Sequence, residues 1–209
     1  MQKTQNKLIE EMNKLFSKKH QPFGKGKFYQ SYEPLNIDGM RKTKLRFKKY
    51  KLNEFISRKS TVLDIASNCG FFANYICPYV RFVHGFDSEP ELVEISNLLA
   101  SYLNNNAKFE INTFEKFKTS LKYNVVLSLA IHKWLSISTT DFCDKLLSLL
   151  FNNGYLVIES HEISKRKNDK EYPKICIILS QNLTKIYEGK IKDDGVVKRK
   201  FSIWQKTIN

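Results

Sequence analysis

The chain has 209 residues, 42% hydrophobic and 13% aromatic, which suits one α/β domain with a buried core and excludes a disordered chain. No apolar run approaches the ~20 residues of a membrane-crossing helix, and Met1-Gln2-Lys3-Thr4-Gln5-Asn6 lacks a signal peptide's apolar core, so a cytoplasmic protein is expected. A formal net charge of +14 points to a polyanionic partner such as RNA or a phosphorylated substrate, or else to biased base composition, since arginine stands only at positions 41, 46, 58, 81, 166 and 199 and the lysines are scattered.

In chain order, residues 3–18 place Leu8, Met12, Leu15 and Phe16 on one helical face, and Pro22, Gly24 and Gly26 break that helix within residues 20–27. A second helix is expected over residues 43–57. An alternation then begins: strand 61–65, helix 71–79, strand 81–86, helix 89–103 with Ser88 as its N-cap and Pro90 in its first turn. Strands 108–111 and 123–129, helix 139–151 and strand 155–159 follow. Two extended runs, 183–191 and 196–205, flank Lys192-Asp193-Asp194-Gly195, a hairpin signal. Strands alternating with helices imply a mostly parallel sheet covered on both faces. The concentrations of basic residues lie at 14–27, 41–51 and 165–174. Cysteines 69, 77, 143 and 176 form no C-x-x-C pair and read as buried, reduced thiols.

The most informative stretch is Val62-Leu63-Asp64-Ile65-Ala66-Ser67-Asn68-Cys69-Gly70-Phe71-Phe72, followed by Gly85-Phe86-Asp87. An apolar strand ends in a carboxylate, passes through a small-residue turn and opens into a helix. The next strand ends in Asp87, placed to accept hydrogen bonds from ribose hydroxyls. G-x-G-x-x-G would need glycines where Ala66 and Asn68 stand, so a pyrophosphate is poorly provided for. Asp64 with the single Gly70 suits a nucleoside cofactor without phosphates.

Ligands in an open α/β sheet sit beyond the carboxyl ends of the strands. Three polar clusters converge there: 68–70, 129–134 and 159–162. His132 and Lys133 emerge from an apolar strand with the chemistry to deprotonate a hydroxyl or grip an anion, and His161 follows the next strand. Either histidine could instead cap a helix, sit in the core, or join Glu159 or Glu162 around a divalent metal, although tight ligand spacing is missing. Trp134 reads as a substrate platform or as packing.

The D-x-A-x-x-x-G turn resembles motif I of class I S-adenosylmethionine (SAM)-dependent methyltransferases, with Ala66 where glycine is usual. The resemblance implies a Rossmann-like fold: a mostly parallel seven-stranded sheet, a C-terminal antiparallel hairpin and N-terminal helices as a lid (residues 1–58) over a core (residues 59–209). The expected cofactor set is Asp64, Ala66, Asn68, Gly70, Phe71, Asp87, Ser88, Thr113, Phe114, Glu115 and Leu129, joined by Tyr29, Gln30 and Arg46 from the narrower resemblance that follows. Phe28-Tyr29-Gln30, Arg46, residues 63–72, Asp87, His132-Lys133, Tyr187-Glu188-Gly189 and Arg199-Lys200-Phe201 are also similar to the methyltransferase half of the bifunctional methyltransferase/kinases that terminate bacterial O-antigen chains. That family has a second histidine where Lys133 stands, and its Tyr, Gln and Arg reach the methionine end of the cofactor. Residues 128–135 are in turn similar to the fourth-strand motif of RNA-capping enzymes that methylate a terminal γ-phosphate. These resemblances imply O-methyl transfer to a glycan, a glycan phosphate or a small metabolite, and His132, Lys133 and His161, from their places after the fourth and fifth strands, are the residues expected to catalyse it. RNA is the alternative acceptor, and the oligomeric state stays open.

Overall fold

A computed structural model of the protein describes residues 2–17, 28–163, 169–192 and 198–207. The break expected at 20–27, the Asp-Asp-Gly turn at 193–195, and much of the basic stretches at 14–27 and 165–174 lie outside the described residues.

The amphipathic N-terminal segment forms α1, Gln2–Phe16, and buries Leu8, Met12, Leu15 and Phe16 as its periodicity requires. Two short strands follow, β1 (Phe28–Gln30) and β2 (Gly39–Arg41), paired in parallel. The sequence reading contained neither strand, so the N-terminal segment is not purely helical. Gly39 makes this pairing possible, because a Cβ there would lie 2.1 Å from the Gln30 carbonyl.

Helix α2 runs only over Thr43–Lys49, not to residue 57. Lys51 takes a left-handed backbone, φ 51°, which ends the helix and starts a 3-10 turn at Leu52–Glu54. Next come β3 (Thr61–Ile65), α3 (Phe71–Ile76, continued as a 3-10 turn once Pro78 intervenes), β4 (Phe82–Asp87), α4 (Pro90–Leu103), β5 (Ala107–Ile111) and β6 (Tyr123–Leu129). The N-cap of α4 is Glu89 rather than Ser88, with no side-chain cap bond.

Helix α5 covers Thr139–Ser148, stopping short of residue 151. At its start the Ser138 hydroxyl accepts the Asp141 N–H at 3.0 Å. Strand β7 claims Leu150–Glu159 and starts before residue 155, with a register shift against β6. Helix α6 (Glu171–Leu179) was not foreseen, because its run Ile175-Cys176-Ile177-Ile178 has no polar face in sequence. Strands β8 (Thr184–Ile191) and β9 (Arg199–Gln205) close the chain.

The seven-stranded sheet has the order β5-β4-β3-β6-β7-β9-β8. Pairing is parallel from β5 to β7, and β9 runs antiparallel to both its neighbours. All five residues of β3 are buried because both sheet faces are covered. One face carries α2, α3 and α4, with α1 packed over α4; the other carries α5 and α6. The crevice where chain order reverses, between β3 and β6, is where such a sheet takes a ligand.

Candidate active site

The turn after β3 is built from three left-handed residues, Ala66, Asn68 and Gly70, at φ 54°, 56° and 63°. It is pinned to the neighbouring strand: Ser67 N–H donates to the Phe86 carbonyl at 2.9 Å and Asn68 N–H to Asp87 Oδ2 at 2.8 Å. Asp87 Oδ1 accepts the Glu89 N–H at 3.2 Å. Burial raises the Asp87 carboxyl, and the backbone donors oppose that rise.

A cavity of about 460 Å³ opens above this turn, lined by Tyr29, Gln30, Arg41, Arg46, Asp64, Ala66, Asn68, Asp87 and residues 129–131 and 134. A second, of about 270 Å³, is lined by Ser88, residues 112–115 and Leu135, and shares Ala66, Asp87, Ile131 and Trp134 with the first. The two form one cleft over the carboxyl ends of β3, β4, β5 and β6.

Charge in the first cavity is arranged in pairs. Asp64 is pushed up to about 7 by burial, with Asp87 adding and Arg46 opposing. Arg46, also buried, sits with its guanidinium 4.5 Å from the Phe72 ring centre. Arg41 is held by Glu159 through two contacts of 2.9 Å, from Nη2 to Oε2 and from Nη1 to Oε1. The Tyr50 hydroxyl donates to the same carboxylate, and Arg199 Nε lies 3.4 Å away. Burial opposes the charge on Glu159, yet Arg41 and Arg46 hold its carboxyl below the usual range. Among the described residues, Asp64 Oδ2, Ser67 Oγ and Asn68 Oδ1 are buried without a hydrogen-bond partner. Orphaned polar atoms of this kind are costly unless a ligand satisfies them.

His132, in a 3-10 turn after β6, lies with its Nε2 2.8 Å from Asp169 Oδ2. The His161 ring stands edge-on to it at 4.8 Å. His161 is pushed down to about 4 by burial, with His132 and Lys133 adding. Among the described residues, no group of three or more His, Cys, Asp or Glu side chains is arranged to hold a metal ion, and no helix is long and apolar enough to cross a membrane.

No family model matches the chain, and no curated protein matches it in sequence. Solved structures match it in shape. The N-methyltransferase NodS from Bradyrhizobium japonicum WM9 aligns with a TM-score of 0.63 at 14% identity, covering 78% of this chain and 97% of that one. Its complex with S-adenosyl-L-homocysteine gives 0.62 at 13%, covering 78% and 84%. An rRNA methylase from Streptococcus thermophilus gives 0.61 at 14%, covering 78% and 96%.

The chain has the class I methyltransferase fold.

Within that fold, Tyr29, Gln30, Arg46, Asp64, Ala66, Asn68, Asp87, Ser88, Thr113, Phe114, Glu115 and Leu129 all line the cleft. Gly70 and Phe71 do not. A Cβ at Gly70 would meet Ser96 Oγ at 2.5 Å, so glycine there lets the turn pack against α4 and makes no room for a ligand. Phe71 is core, 5.2 Å from the Phe28 ring and 5.9 Å from the Tyr32 ring. His132, Lys133 and His161 stand together next to the cleft without lining it. Sequence reasoning missed Arg41, because the strand that carries it was not recognised. It also missed Asp169, although an Asp just ahead of Glu171 and Pro173 is a helix-start signal.

Proposed function

We propose that the protein is a SAM-dependent O-methyltransferase acting on a glycan, a glycan phosphate or a small metabolite. The observation that carries this reading is the cleft itself, with Asp64 and Arg46 side by side in one half and Asp87 at the β4 end. A methionine moiety is a zwitterion, and a neighbouring carboxylate and guanidinium complement its ammonium and carboxylate. Asp87 suits the ribose, and the smaller half, walled by Phe114 and Thr113, suits the adenine. The turn suits no pyrophosphate, since Ala66 and Asn68 replace the glycines that one would need.

SAM would supply an electrophilic methyl group on a sulfonium. The chain then has to hold the acceptor in line and take up its proton. His132 is the candidate base, with Lys133 and His161 beside it. Residues 1–58, which bring Tyr29, Gln30 and Arg46 to the cleft, act as its cover. Four free cysteines suit a cytoplasmic setting. The net charge of +14 and the likeness to an rRNA methylase favour RNA as the alternative acceptor.

Isothermal titration with SAM and with NAD tests the reading. SAM binds and NAD does not; the reverse result would overturn it. Salt separates the two acceptor classes, because RNA held through many phosphates weakens steeply with ionic strength and a small acceptor in a pocket does not.

A further inference from the structure

One concentration of basic residues lies wholly within the described part of the chain. Seven of the eleven residues at 41–51 are lysine or arginine and none is acidic. The fold divides them. Arg41 and Arg46 turn inward and line the cleft. Lys42, Lys44, Lys48 and Lys49 are exposed, and Lys51 is half-buried. The acids nearby are taken: Asp38 pairs with Lys42 at 2.6 Å and Glu54 with Lys51 at 3.6 Å. Glu33 accepts the Ser31 hydroxyl at 2.7 Å and the Lys44 backbone N–H at 3.3 Å. Among the described residues, no acid pairs with the side chain of Lys44, Lys48 or Lys49. The outer face of α2 therefore carries a block of unbalanced positive charge, which scattered lysines do not produce.

Aromatic rings border that charge. Lys44, Phe47 and Lys48, three and four residues apart, share one side of the helix. The Phe47 ring packs 5.4 Å from Tyr75 and 5.2 Å from Tyr79. Tyr79 is 47% exposed and Tyr75 half-buried. On the other flank α2 meets β8, where Lys51 Nζ lies 4.5 Å from the Tyr187 ring centre and Lys190 is exposed. Cations set among accessible rings match a strand of phosphates and bases: lysines take the phosphates, and rings stack on the bases. A bilayer would need apolar tips projecting from the same face, whereas Phe47 is folded down onto the two tyrosines. A small anion would need a pocket, and Lys44, Lys48 and Lys49 line neither cavity of the cleft.

We propose that the outer face of α2, with Tyr79 beside it, is a docking surface for single-stranded RNA. This deepens the RNA alternative given above and rests on it; a small metabolite or a neutral glycan would leave the face idle. Lys44, Lys48 and Lys49 neutralise phosphates, and Tyr79 takes a base. Contacts of this kind position a strand without choosing its sequence. Arg46 lines the cleft from the opposite side of the same helix, and a helix with its side chains is about 10–12 Å across. A strand on the outer face therefore passes about one helix diameter from the cleft. The surface holds the polymer, and the cleft takes the nucleotide to be methylated.

Fluorescence anisotropy of the full chain with a labelled oligouridylate of about 16 nucleotides tests the surface. The wild type binds, and its affinity falls steeply as salt rises. Lys44→Ala/Lys48→Ala/Lys49→Ala loses at least about tenfold in affinity. Its salt slope is shallower by about 2, the share of three phosphate contacts on a single strand. Tyr79→Ala loses about fivefold or more with the slope unchanged, because stacking releases no counterions. Lys7→Ala/Lys14→Ala/Lys174→Ala, which removes three exposed lysines from α1 and α6, loses far less. Equal losses in the two triple variants overturn the surface and leave the RNA reading standing, whereas no binding by the wild type at low salt removes both. Phosphatidylglycerol vesicles that lose affinity in the α2 variant while RNA binding persists overturn the proposal in favour of a bilayer. Tyr79→Ala decides alone if the α2 variant does not fold, and an unchanged affinity there overturns the proposal. SAM calorimetry on the same samples keeps the methyltransferase reading apart, since none of the changed residues lines the cleft.

Discussion

With the proposed ammonium of SAM against Asp64, the raised carboxyl makes SAM binding a proton-linked event. Its oxygen Oδ2 is buried with no hydrogen-bond partner among the described residues, and burial pushes the group up to about 7 from 3.8, with Asp87 adding and Arg46 opposing. A carboxyl raised on folding favours the folded state fully below its unfolded pKa, and that contribution is lost as pH rises through the folded one. The free protein therefore loses stability from this group between about pH 4 and 7. An ammonium placed against Asp64 requires the ionised form. At about pH 6, one unit below the folded value, SAM binding then expels about 0.9 proton, falling toward zero as pH passes 7. Affinity improves up to about tenfold per pH unit below that point, or about 1.4 kcal/mol. Calorimetry at about pH 6 in buffers of low and high ionisation enthalpy reads this release directly. Asp64→Asn abolishes it and flattens the affinity profile. Tight SAM binding with no proton released, or the same release in the variant, would refute the placement of the ammonium against Asp64.

Glu159→Ala strands the buried Arg41 and Tyr50 groups and lowers stability by about 3–5 kcal/mol. Urea unfolding measures it, with the paired change Arg41→Met/Glu159→Leu losing less; a single-variant loss below about 1 kcal/mol contradicts the buried ion pair. Gly70→Ala puts a Cβ at φ +63° and within 2.5 Å of Ser96 Oγ, so it destabilises by at least about 1–2 kcal/mol, and an unchanged melting temperature would count against that turn geometry. Asp87→Ala weakens SAM binding by about 1.5–3 kcal/mol in titration calorimetry; wild-type affinity would free the ribose assignment from this residue. Limited proteolysis between residues 18 and 44 slows when SAM is bound, and equal rates would end the idea of residues 1–58 as a cofactor-ordered cover.

What the sequence alone determined here is what depends on near neighbours. The β3–turn–α3 unit was readable because its apolar run, small-residue turn and helix are contiguous, and Asp87 because it ends the very next strand. The parallel sheet followed from the strand–helix alternation, and the face of α1 from a 3.6-residue period. Element ends drifted where single backbone angles decide them, as at Lys51, and α6 hid because its apolar run carries no periodic polar face. Tertiary structure alone decided which distant groups meet. Arg41 and Glu159 stand 118 residues apart, and His132 and Asp169 stand 37 apart. A charged side chain becomes part of a site only when burial removes its water and leaves one partner in reach. No local pattern records that selection, because it is made by the packing of elements that are remote in the chain.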